Sequence, residues 1–417
     1  MDSIKTYIKN FLSRKGGWVF SSMIIGKLFI FFSSWIALKL LPQDDLGYLL
    51  FALNIILFFV PISGLGATHG LLRFGSFQET SDSRQNLLRE VLIKGFIFST
   101  ILMGSIIVMS RFLTIKMPGS QFYLLGLSFL ILTLFFLEAI KTYYRIIGKN
   151  EIYAKIEITN ALILLPAVFI TCYFFGIWGY LSTLVLTPML ATLVYFPKNI
   201  IQTSTSGNKL LGIDFWKYSV FTGLSNSVTQ LLAIADIFLI GYLLKDPAQV
   251  TFYKYLSLIP LSLVLLPNAF LMTDFVSLTT HIKNSRYISQ YIKQYISLLI
   301  IILLGIWTIH FIFIEDILKF LGRDFLPYKK VYLFLLFGVT AVILLRILFG
   351  NLLSAFGKAR INFWIASFSV VINLLLNLYF IPTQGILGAA ITSCLTMWIS
   401  SLLSMFCVYY FLKKSGK

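Results

Sequence analysis

The chain has 417 residues, of which 58% are apolar and only 12% charged, with 40 Phe and 21 Tyr. A soluble chain carries about 25% charged residues, so no soluble fold can hide this composition, and the apolar positions suffice for about twelve membrane spans of roughly 20 residues each. The net charge of +18 comes in small groups between apolar runs, with no nucleic-acid-binding module around them. It reads as topology and anionic-ligand charge.

At the N-terminus, Ile4, Tyr7, Ile8, Phe11 and Leu12 recur at helical spacing opposite Lys5, Lys9, Arg14 and Lys15. This predicts an interfacial amphipathic helix over residues 1–16. The stretch from Gly17 to Leu41 has no small-residue cleavage site, so it is expected as a retained span and not a signal peptide. The apolar runs place spans at about 17–41, 46–72, 88–110, 120–144, 154–175, 178–198, 215–244, 250–273, 291–314, 329–353, 361–380 and 385–412. The expected fold class is an all-α membrane protein of about twelve transmembrane helices. Cys172, Cys394 and Cys407 lie inside these runs without ligand spacing, so no disulfide, metal or other cofactor is expected.

Lys and Arg at the span ends divide twenty-three against nine in favour of a cytoplasmic N-terminus, which puts both termini in the cytoplasm. The polar stretch Gln202 to Lys209 marks a cytoplasmic linker over 201–214 between a six-helix bundle at 17–200 and another at 215–417. Gly148, Lys149, Gly176, Ile177, Gly179 and Thr183 recur 209 residues later as Gly357, Lys358, Gly385, Ile386, Gly388 and Thr392. With an even number of spans in each half, the halves are expected to be parallel repeats about a pseudo-two-fold along the membrane normal.

The run from Leu352 to Ser393 carries Gly357-Lys358, Asn373, Asn377, Ile381-Pro382, Gly385-Ile386 and Gly388-Ala389-Ala390. It resembles the polysaccharide flippases, O-antigen (Wzx) type, of the multidrug/oligosaccharidyl-lipid/polysaccharide (MOP) exporter superfamily. The segments at Lys39 to Asn54, Tyr143 to Glu157 and Ala235 to Leu244 fit the same family. The resemblance implies a flippase of lipopolysaccharide biosynthesis, moving an undecaprenyl-diphosphate-linked oligosaccharide to the outer leaflet by alternating access. The partners implied are the lipid-linked oligosaccharide, the bilayer and the polymerase and chain-length components of a polysaccharide pathway, with no nucleic acid and no enzymatic chemistry.

Moving a diphosphate through hydrocarbon calls for cations inside the spans. Lys27 lies about 15 Å along the first span, and Arg346 sits within the tenth on a stripe with Gly350 and Ser354; each is a candidate phosphate contact, a structural ion pair or a snorkelled end. On the seventh span Thr222, Asn226, Thr229, Ala233 and Asp236 share one face, expected to line a cavity where Asp236 binds a coupling cation, pairs with a cation or accepts sugar hydroxyls. Ser369, Asn373 and Asn377 form a similar stripe on the eleventh span, read either as cavity lining or as interhelical hydrogen-bond glue. His69 and Arg73, one turn apart, are placed to receive a phosphate from the cytoplasmic leaflet or to anchor the interface. Glu138, Lys141 and Arg145 are expected to pair locally. Asp44 and Asp45 are expected to cap the second span.

The rival readings are a multidrug or teichoic-acid-type exporter of the same superfamily and, in another class, a polytopic glycosyltransferase or polymerase. The outer loops are too short to hold an acceptor glycan, the longest being about 315–328. The interior charges lean positive, which favours an anionic cargo. Reporters fused after Lys417 and inside 202–209 are expected to read cytoplasmic and one near Asp316 external; an external reading at 202–209 overturns the two-half scheme.

Overall fold

The computed structural model describes residues 16–197, 211–282 and 284–415. The interfacial helix expected over 1–16 and most of the linker expected over 201–214 lie outside the described residues. Among those described, every regular element is a helix. In chain order the α-helices are α1 (Gly16–Leu40), α2 (Gln43–Phe59), α3 (Ala67–Ser76), α4 (Ser81–Leu113), α5 (Gln121–Leu127), α6 (Leu130–Ile146), α7 (Asn150–Val194), α8 (Ile213–Leu244), α9 (Pro247–Ser262), α10 (Leu265–Thr280), α11 (Ser285–Leu321), α12 (Lys329–Ala341), α13 (Ile347–Ala355), α14 (Ala359–Gln384) and α15 (Ile386–Ser415).

Hydrocarbon leaves no water to satisfy backbone N–H and C=O groups, so helices are the element this composition dictates. Nine helical stretches among the described residues are long and apolar enough to cross a membrane. Three further segments follow from α1, from α8 and from the reversal of α7 at Gly176, giving the expected twelve. The long helices turn apolar side chains outward. On α11, Ile300, Ile301, Leu304, Phe311 and Ile312 are exposed, whereas Tyr291, Tyr295, Leu299 and Leu303 form a buried stripe at a spacing of four. Such a surface suits lipid. Asp44 and Asp45 lie in the first turn of α2, but α2 begins after Pro42 with no side-chain cap. The capping expectation is therefore corrected: Asp45 instead accepts a hydrogen bond from the Tyr123 hydroxyl at 3.3 Å, and only the dipole complement stands.

The helices group into two compact units, Ile25–Thr251 and the residues from Phe252 onward together with the start of α1. The packing boundary therefore differs from the repeat boundary expected at 201–214. Within the first unit α8 lies along α2 and α3. Phe51 stacks on Phe238 with centroids 5.5 Å apart, and a Cβ on Gly66 would overlap the Ser219 carbonyl. Between α2 and α3 the backbone leaves the helix from Ser63 to Gly66, which lets α3 start in a new direction against α8.

The 209-residue repeat is present in the backbone of each unit. Gly148 and Gly357 have φ of 74° and 71°, and each closes the same turn. Lys149 N donates to Tyr144 O at 2.9 Å, and Lys358 N to Leu353 O at 2.8 Å. The next helices begin at Asn150 and Ala359, again 209 apart. Gly176 (φ 57°, ψ −137°) and Gly385 (φ 61°, ψ −142°) then reverse the chain in a region open to glycine alone. A Cβ on Gly179 would overlap the Thr171 carbonyl, and one on Gly388 the Phe380 carbonyl. Gly179→Ala and Gly388→Ala are thus expected to cost about 1–3 kcal/mol each through overpacking. Gly104→Ala, with nothing near its Cβ position, is expected to be neutral or slightly stabilising. Thermal unfolding in detergent checks all three.

Candidate functional site

Each unit holds a cation among its helices, the buried Lys141 in the first and the half-buried Arg346 in the second. In the first unit Lys141 on α6 is 5% exposed. Its Nζ donates to Glu138 Oε1 at 2.7 Å, pairs with Glu157 Oε1 on α7 and lies 5.3 Å from the Tyr153 ring centroid. The pairing with Glu138 is the expected one, while Arg145 is exposed and outside the cluster. Both carboxylates are about half exposed, and both pair with the lysine.

In the second unit Arg346 closes a single π-helical turn, Val342–Arg346, between α12 and α13. Such turns re-aim a side chain and recur at functional sites. Arg346 Nη1 donates to Asn362 Oδ1 on α14 at 2.8 Å and to Ser404 Oγ on α15 at 2.9 Å. Asn362 Nδ2 donates in turn to Gly350 O at 2.6 Å and Ser354 Oγ at 3.3 Å, and Ser404 donates to Ser400 O at 2.8 Å. The stripe of Arg346, Gly350 and Ser354 expected from spacing is therefore one connected network. All of its acceptors are neutral. No carboxylate pairs with Arg346 among the described residues, and its Nε and Nη2 hydrogens stay without a protein acceptor there.

The other expected residues separate into groups. His69, shortly after the helix break, meets Asn226 on α8, with Nδ2 to Nε2 at 3.1 Å. Arg73, exposed one turn on, lays its guanidinium 4.5 Å over the Tyr218 ring. Lys27 on α1 is exposed and makes no hydrogen bond or ion pair among the described residues. Asp236 is buried on α8; the side chain of Thr229 lies outside the described ones. Asn373 and Asn377 are buried on α14, where Asn377 Nδ2 donates to Asn373 Oδ1 at 3.1 Å. Sequence reasoning missed Glu157, Asn362, Ser404 and Tyr218, each of which reaches its partner from another helix.

No protein-family model matches the chain, and no curated protein matches it in sequence. Solved structures do match in fold. A multidrug resistance MATE family transporter of the MOP superfamily, inward-facing, superimposes with a TM-score of 0.76 at 11% identity, over 94% of this chain and 95% of that one. The chain shares the fold of that transporter. The lipid II flippase MurJ, inward closed, gives a TM-score of 0.69 at 16% identity over 93% and 87% of the two chains. A MOP superfamily transporter from Pyrococcus furiosus, described as having a binding pocket of reversed polarity that suggests a different function, gives 0.65 at 13% over 97% and 96%. All of these neighbours are transporters or flippases, none an enzyme.

Lys141→Met would leave two carboxylates facing an apolar side chain. Its expected cost lies between the roughly 1 kcal/mol of an exposed pair and the roughly 3–5 kcal/mol of a buried one, and Glu157→Gln, which keeps one pair, is expected to cost less. Unfolding midpoints in detergent check this; an unchanged Lys141→Met midpoint would remove the structural role of the cluster.

Proposed function

We propose that the protein is a flippase that moves an undecaprenyl-diphosphate-linked oligosaccharide, such as an O-antigen repeat unit, across the bacterial inner membrane by alternating access through a cationic central cavity. The observation that carries this reading is the pair of cations within spans, Lys27 and Arg346, neither of which has a carboxylate partner among the described residues. A diphosphate entering a low-dielectric space loses hydration worth many kcal/mol, and fixed cations replace that solvation. Lys27 supplies a point charge and Arg346 a planar fork. His69, hydrogen-bonded to Asn226, and Arg73, one turn further along α3 toward the end expected to face the cytoplasm, receive the phosphate. Asp236, Thr229, Asn373 and Asn377 supply hydrogen bonds for sugar hydroxyls or for a coupling cation. Both termini are cytoplasmic in this scheme, and polymerase and chain-length components take the product.

A second reading, export of organic cations, draws on the half-exposed Glu138 and Glu157 carboxylates. Lys141 already engages both, so the flippase reading is preferred. The test is surface glycan in a strain lacking its own flippase, with membrane protein level measured in parallel. Lys27→Ala is expected to abolish export at normal abundance, Lys27→Arg to retain part of it, and the exposed Lys413→Ala to leave it unchanged. Normal export by Lys27→Ala would remove that residue from the cavity.

A further inference from the structure

The chain carries no Asp or Glu between Asp274 and Glu315, and none after Asp324. Within these stretches three parts of the second unit come together. The α10–α11 loop, the α13–α14 turn and the last turns of α15 place Ile282, Phe356 and Phe411 against one buried cluster that includes Leu278, Ile288 and Leu352. Lys358 Nζ lies 5.5 Å from the Phe411 ring centroid, which ties the turn to α15. At this end of the unit Arg286, Lys293, Lys358, Arg360 and Lys413 are all exposed, and none of them forms an ion pair among the described residues. Asp274 on α10 is buried and accepts a hydrogen bond from the Tyr291 hydroxyl at 2.9 Å, so the exposed charge has a single sign.

Topology asks for the bases but not for the absence of acids, which contribute little to orientation. The first unit provides the contrast. There the end of α3 meets the end of α6, with Gly75 against Ile146. Around that meeting point exposed Glu79, Asp82 and Glu151 stand among Arg145, Lys149 and Lys155, and Glu90 pairs with Lys94 at 3.6 Å. A surface of mixed sign has little net field, whereas one of single sign draws a partner of the opposite charge.

The aromatic residues identify the partner. Trp364 stands one turn from Arg360 on α14, and Tyr409 one turn from Lys413 on α15, both exposed and both on the span side of the base. A ring at the edge of the hydrocarbon with a base just beyond it is the order that suits a phospholipid headgroup layer. An acidic protein would meet the bases alone and give the rings no role. We propose that this end of the second unit is a docking surface for anionic phospholipid headgroups in the leaflet expected to be cytoplasmic, and that the first unit has no equivalent. The surface is independent of the cargo and stands whether or not the flippase reading does.

The test uses the full chain, purified and delipidated in detergent, with phosphatidylglycerol or phosphatidylcholine added to the micelles and the unfolding midpoint as readout. Phosphatidylglycerol is expected to raise the midpoint saturably, phosphatidylcholine to raise it little, and added salt to shrink the difference. Changing Arg286, Lys358, Arg360 and Lys413 together to Gln is expected to weaken the apparent affinity for phosphatidylglycerol at least tenfold. Arg360→Gln with Lys413→Gln, which keeps the other three bases for insertion, is expected to weaken it about threefold and decides the matter if the fourfold variant fails to insert. The matched change of Arg145, Lys149, Lys155 and Lys217 to Gln in the first unit is expected to leave the titration as in the wild type. Equal rises with the two lipids, or an equal loss in the first-unit variant, overturns the proposal. A rise with soluble polyglutamate and none with phosphatidylglycerol also overturns it and assigns the surface to an acidic protein.

Discussion

An ionic group inside a span must be neutralised by a partner, carried to the interface or held ready for a ligand, because hydrocarbon itself offers no solvation. This constraint sorts the basic residues of the chain. Those expected at span ends suit the interface, and Lys141 is paired with Glu138 and Glu157. Lys27 and Arg346 fit neither treatment. Arg346 is the more informative, because two helices contribute neutral acceptors that orient it without cancelling its charge. Leaving a charge in that state costs stability, and in the proposed function a ligand anion offsets the cost.

The twelve spans were legible because long apolar runs interrupted by small polar groups admit one reading in a bilayer. The repeat was legible for a different reason. Gly176, Gly179, Gly385 and Gly388 stand where a positive φ or the approach of a neighbouring carbonyl excludes any Cβ, so the backbone leaves a residue-level trace. Side chains that meet across helices leave none. Glu157 and Lys141 are sixteen residues apart, as are Arg346 and Asn362, and no local periodicity links such pairs. The spacing of Arg346, Gly350 and Ser354 revealed one wall of the network, while Ser404, 58 residues away, stayed hidden until the helices were packed.

Asn226 shows the same limit from the other side. Its place on a polar stripe of α8 followed from helical spacing, yet its partner His69 is 157 residues away and is positioned by the break between α2 and α3. That break depends on Gly64 and Gly66, both at positive φ, and on the close approach of Ser219 to Gly66. Pro61 and the glycines advertise a bend in the sequence, but only packing against α8 decides where α3 points after it. The polar pair is thus a consequence of backbone geometry several residues away.

The comparison of Lys141 with Arg346 separates what the fold specifies from what it leaves open. The turn, the helix starts and the glycine reversals agree between the units to within a few degrees and at one constant offset. The residues around the cation do not agree, since Glu138 and Glu157 correspond to Ile347 and Ala366 in the repeat. The two clusters therefore differ in the cation, in the residues around it and in the π-helical turn at Val342–Arg346, while the connection that follows each of them is shared. It follows that neighbours sharing this fold at 11–16% identity establish the architecture, and that cargo polarity is decided by side chains at positions the fold does not constrain.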